Sequence, residues 1–77
     1  MMLNAPLVEQ LITKMGLKKK WVISQMGLKS TTGKLMLNDG LLPKDEQVQK
    51  NALKQLATIL GVEVRQILLR LPAKMAS

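Results

Sequence analysis

An all-helical single domain with five helices is the fold class this sequence predicts, and three observations carry it. Apolar residues recur at intervals of three and four, which is the period of a helix with one buried face. Alternating runs of strand formers are scarce, and Trp21 is the one aromatic residue. The chain has 77 residues, and chains divide into several cores only far above that length. With 47% hydrophobic and 22% charged residues, it lacks the low hydrophobicity of disordered chains. Residues 1–77 are therefore expected to fold as one domain, with 1–5 and 72–77 as flexible ends.

The first helix is expected from about Pro6 to Met15. Pro6 suits an early helical position, Leu7, Val8, Leu11, Ile12 and Met15 form one stripe, and Gly16 ends it. A second, short helix from about Lys18 to Met26 buries Val22, Ile23 and Met26, with Gly27 placed for a left-handed cap. The third runs from Ser30 or Thr31 to about Asn38; its leading hydroxyls can cap free amides, and Asn38-Asp39-Gly40 stops it. In the fourth, Asp45 and Glu46 sit where a helix start favours negative charge, and Val48, Ala52, Leu53, Leu56, Ala57 and Leu60 mark the buried face up to Gly61. A fifth, from about Glu63 to Leu71, presents Val64, Ile67, Leu68 and Leu71 on one side until Pro72 halts it.

Composition narrows the chemistry. With no Cys and no His, the chain lacks disulfides, thiol nucleophiles, zinc-finger ligands and the commonest general base near neutral pH. No enzyme activity, catalytic residue, cofactor or metal site is expected. The adjacent carboxylates Asp45 and Glu46 are explained by helix capping and the helix dipole without acid–base chemistry. No apolar run approaches the roughly 20 residues that span a bilayer, and Met1 to Pro6 lacks the basic-then-apolar order of a signal peptide. A cytoplasmic protein without membrane association is the expectation.

Twelve Lys and Arg against five Asp and Glu give a net charge of +7, which favours polyanionic partners. The surplus is concentrated: between residues 10 and 34 stand Lys14, Lys18, Lys19, Lys20, Lys29 and Lys34 without an acid among them. Lysines also solubilise any small helical protein, so the cluster matters only if the fold gathers it around one surface. Such a surface is suggested by a short helix, a glycine nine positions in, a tight turn and a second short helix, spanning Lys19 to Met36 or Leu37. This is the helix-turn-helix spacing, with Gly27 as pivot, which sets the second helix in a DNA major groove while the first crosses the backbone.

With these residues the chain resembles the lambda-repressor-like helix-turn-helix family of phage repressors, Cro-like proteins and small bacterial regulators. The resemblance runs from Leu7 to Leu68. It is carried by Met15-Gly16-Leu17, Val22-Ile23, Met26-Gly27-Leu28, Leu37-Asn38-Asp39-Gly40 with Pro43, and Leu56-Ala57 with Leu60-Gly61-Val62. It implies a five-helix domain whose second and third helices form the helix-turn-helix. The implied function is transcription regulation as a repressor or Cro-like protein, by a homodimer on a partly palindromic site in double-stranded DNA. Carried over by position, Lys19 meets phosphate, with Lys18 or Lys20 beside it. Lys29, Ser30, Thr31 and Lys34 on the recognition helix, about 30–38, are candidates for base edges or flanking phosphates, with Thr32 next to them. No Arg precedes position 65, so the bidentate fork most used for guanine is missing and weak selectivity is expected.

Three departures from the family pattern stand out. Ile23 replaces the usual alanine at the close approach of the two motif helices, and Gly33 replaces a branched apolar residue; Ile23 is expected to fill the space Gly33 vacates. The third is register. With a three-residue turn Met36 points inward; with a turn one residue longer Leu37 does, and Lys34 moves toward the edge of the core.

The remaining apolar residues leave two interaction surfaces open. Trp21 lies either over lysine stems or at a protein contact, and Leu69, with Leu41, Leu42 and Met75, forms an apolar patch suited to a homodimer interface. The alternative function is a small helical protein-interaction module, antitoxin-like or anti-activator, that keeps the fold but binds a protein through Trp21 or Leu69. A membrane-surface peptide is disfavoured, because the lysines do not line one face of a single long helix.

Overall fold

The computed structural model describes residues 2–69. In chain order these form strand β1 (Met2–Leu3), helices α1 (Ala5–Lys14), α2 (Lys19–Gln25), α3 (Ser30–Asp39) and α4 (Glu46–Leu60), a 3-10 turn at Val64–Gln66, and strand β2 (Leu68–Leu69). The protein is mostly helical, with one small antiparallel ribbon that pairs Met2 with Leu69 and Leu3 with Leu68.

Local chemistry explains the helix limits. Asn4 accepts a hydrogen bond from the Leu7 amide at 3.4 Å, with Pro6 in the first turn of α1. Asp45 is the cap of α4, its carboxylate accepting from the Gln47 and Val48 amides at 2.9 and 3.2 Å. The third helix departs from the expected pattern, since its cap is Lys29 and no side-chain cap bond closes its first turn. Ser30 and Thr31 thus do not cap α3 as their hydroxyls suggested. Ser30 is already helical, and at that position a hydroxyl no longer stands in front of the free amides.

Four α-helices are present among the described residues rather than five. Where a helix from Glu63 to Leu71 was expected, the chain makes a 3-10 turn and then β2, and Leu71 lies outside the described residues. The cause is competition for the same apolar residues. A helix this short is marginal in water, whereas Glu63 and Gln66 close a reciprocal capping box around the 3-10 turn. The following strand pairs with the chain start: the Asn4 amide donates to the Ile67 carbonyl at 2.8 Å, and Ile67 is fully buried. Met2–Leu3, expected as part of a flexible end, is the other half of that ribbon, and Leu3 is buried. The expected flexible end at 72–77 lies outside the described residues.

The core joins Leu3 and Ile67 to Val8 and Ile12 of α1, Val22 and Ile23 of α2, Met36 and Leu37 of α3, and the inward face of α4. Helix α4, buried through Ala52, Leu53, Leu56, Ala57 and Leu60, is the longest element.

Between α2 and α3 stand four residues, Met26 to Lys29, with Gly27 in the left-handed conformation at φ 72°. The turn is therefore the longer of the two registers, yet Met36 and Leu37 are both buried and Lys34 is exposed. Both can face inward because successive helical residues fall within the width of one buried stripe. A Cβ placed on Gly33 would stand 2.8 Å from Ile23 Cγ1 and 3.0 Å from Ile23 Cβ, and closer still to Cγ2. Ile23 fills the space left by the missing side chain, as the paired departures implied.

Candidate nucleic-acid interface

With Gly33, Met36, Leu37 and Gly40 buried, the helical period fixes what α3 turns outward. Thr31, Lys34, Leu35 and Asn38, at spacings of three and four, form its solvent-facing stripe, and all four are exposed. A hydroxyl, an ammonium, a branched alkyl group and a carboxamide thus follow one another along the helix.

Lysines flank this stripe on both sides. Lys19, Lys20 and Lys34 line one groove over Ile23 and Leu37, between α2 and α3. On the other side Lys29 and Lys44 line a second groove with Thr32. A third depression brings Lys20 and Ser30 together with Ser24. Of the residues predicted from sequence, Lys18, Lys20, Lys29, Ser30, Thr31 and Lys34 are exposed, while Lys19 and Thr32 are half-buried. Lys18 is the cap residue of α2 and makes no side-chain cap bond.

Lys19 stands apart from the others. Its ammonium donates to Glu9 Oε1 and to Asn38 Oδ1, both at 3.0 Å. One side chain thus ties α1, α2 and α3 together, and a phosphate reaching it must displace a carboxylate already in place. The pair is solvent-accessible, with side-chain exposures of 39% and 59%, where ion pairs contribute at most about 1 kcal/mol. Such an ammonium remains exchangeable.

Sequence reasoning did not single out Leu35, Asn38, Lys44 or Glu9. For Leu35 and Asn38 a signal existed, because once Gly33 and Leu37 are placed inward the period turns 31, 34, 35 and 38 outward. For Lys44 and Glu9 there was none, since only the tertiary fold brings the α3–α4 loop beside Thr32 and α1 beside Lys19. Trp21 is 47% exposed on α2, Leu69 is 45% exposed on β2, and Leu41 is 51% exposed after α3. Leu42 is half-buried; Met75 lies outside the described residues. Among the described residues no helix is long and apolar enough to cross a membrane. Comparison with known proteins finds no matching family model, no matching curated relative and no matching solved structure.

Proposed function

We propose that this chain is a sequence-reading, double-stranded DNA-binding protein in which α2 and α3 act as a helix-turn-helix and α3 is the recognition helix. One observation carries the proposal: the outward stripe of α3 is exposed and has lysines on both sides, while its opposite face is buried. A helix of this kind fits the width of the major groove, with cations reaching the phosphates on either side and polar side chains reaching base edges. Lys18, Lys20, Lys29 and Lys44 are assigned to phosphate, Lys34 to a base edge or flanking phosphate, and Ser30, Thr31 and Thr32 to bases. Lys19 reaches phosphate only by leaving Glu9. The biological role is transcription regulation of repressor or Cro type, in a phage or bacterial cytoplasm. The active species is a homodimer joined through the apolar surface at Leu69.

Mobility-shift titration over a range of salt tests this. For about five neutralised phosphates, log affinity falls against log salt with a slope near −4 to −5. Lys29→Gln and Lys34→Gln each flatten the slope by about 1. A flat salt response rejects the proposal.

The exposed Trp21 and Leu69 favour a second reading, a protein-interaction module on the same fold. A chain that shows no DNA binding, but captures a host protein that Trp21→Ala and Leu69→Ala release, would establish it instead.

A further inference from the structure

Leu35 is the one apolar member of the outward stripe of α3, and it is 43% exposed. Helical geometry places it beside Thr31 and Thr32, one turn earlier, and Asn38 and Asp39, one turn later. It is not a turn of core that strayed, because the buried positions 33, 36, 37 and 40 already complete the inward face. Lys34 precedes it in the chain, and the groove it lines also holds Thr32, Leu41, Leu42, Pro43 and Lys44. An exposed alkyl group on a helix face that also carries hydroxyl, carboxamide and ammonium groups matches a polyanion that carries an apolar group in its interior.

Duplex DNA has such a group. Of all the groups on the major-groove edges of the base pairs, the thymine C5-methyl is the one alkyl group. An isobutyl side chain set against any other edge removes water from donors or acceptors and returns no hydrogen bond, which is unfavourable. We propose that Leu35 is a specificity-determining residue that packs on a thymine methyl, so that each half-site contains a required thymine opposite the middle of α3. The assignment rests on the DNA-binding function proposed above. It gives each half-site a T·A requirement, and it uses a side chain that makes no hydrogen bond.

Replacing thymine by deoxyuridine removes that methyl and leaves every base-pairing group in place. The full chain is first used to select its tightest-bound duplex from a random pool, and each thymine of that duplex is then changed singly to deoxyuridine. One or two positions per half-site are expected to lose about fourfold in affinity, the ratio equivalent to about 0.8 kcal/mol for one buried methyl-sized group. At those positions Leu35→Ala is expected to bind thymine and deoxyuridine duplexes equally, while Leu35→Met keeps the preference. Wild-type indifference to every replacement overturns the assignment of Leu35 without touching DNA binding itself, and needs no variant to fold. Retention of the preference by a folded Leu35→Ala chain also overturns it. A pool that yields no bound duplex rejects the DNA-binding proposal, and this inference falls with it.

Discussion

At the scale of single residues, the contact between Ile23 and Gly33 carries the most stringent consequence. Alanine is the better helix former by about 1 kcal/mol, so by propensity alone Gly33→Ala would stabilise α3. The added Cβ, however, meets the branched root of Ile23 rather than the tip of a flexible chain, and overpacking of this kind typically costs about 1–3 kcal/mol. Gly33→Ala is therefore expected to lower stability in the native chain and to raise it in an Ile23→Ala background. Thermal unfolding of the four proteins of the cycle reads that reversal of sign; additive effects would mean that the two residues do not share the space. This exchange of bulk was legible in the sequence because both partners depart from a positional pattern together. The Lys19 pair was not, because its partners stand ten and nineteen residues away and nothing local marks them. If Glu9 competes with phosphate for Lys19, Glu9→Gln should tighten DNA binding by no more than about fivefold, the limit set by a surface pair worth about 1 kcal/mol. In a Lys19→Gln background the gain should shrink. Equal gains in both backgrounds would assign the effect to net charge alone.

At the scale of elements, the ribbon of β1 and β2 decides whether Met2–Leu3 and Leu68–Leu69 are part of the fold. Leu3 is 1% exposed, and its amide donates to the Gly40 carbonyl at 2.9 Å. The end of α3 is shaped around it: Gly40 has φ 74°, and a Cβ there would stand 2.5 Å from the Leu3 carbonyl oxygen. Only glycine meets both conditions. Leu3→Ala is expected to cost about 2–5 kcal/mol, comparable with the whole stability that a core of this size supplies, so cooperative unfolding should be largely lost in denaturant titration. If the transition survives with its midpoint unchanged, β1 is not part of the cooperative unit. The four long elements were readable from periodicity and punctuation, because Gly16, Gly27, Gly40 and Gly61 fall at their ends. The last segment was not, since Val64, Ile67 and Leu68 fit a helical stripe and a turn-plus-strand equally well. Pairing with Met2–Leu3, more than sixty residues away, settles the choice, and such a partner leaves no mark in local spacing.

At the scale of the whole molecule, a lysine-bordered helix face and an exposed apolar ribbon belong to different elements. Lysines from α2, α3 and the α3–α4 loop surround one helix face, whereas Met2 and Leu69, directly opposed across the ribbon, are both exposed. The first arrangement suits a polyanion and the second suits burial against another copy, which would add stability to a small core. Leu69→Asp is expected to leave the helical content intact and convert a dimer to a monomer in sedimentation at micromolar concentration, with weaker binding to paired half-sites. A wild-type chain that sediments only as monomer, with and without DNA, would remove the ribbon from the interface. The decisive test of the account is whether α3 meets DNA with its outward stripe. Titrating a labelled chain with a short duplex and following its backbone amide resonances should shift Lys29 to Asn38 together with Lys44, and leave the α4 amides from Asn51 to Leu60 in place. Shifts centred on α4 or on the ribbon, with residues 29 to 38 unmoved, would contradict it.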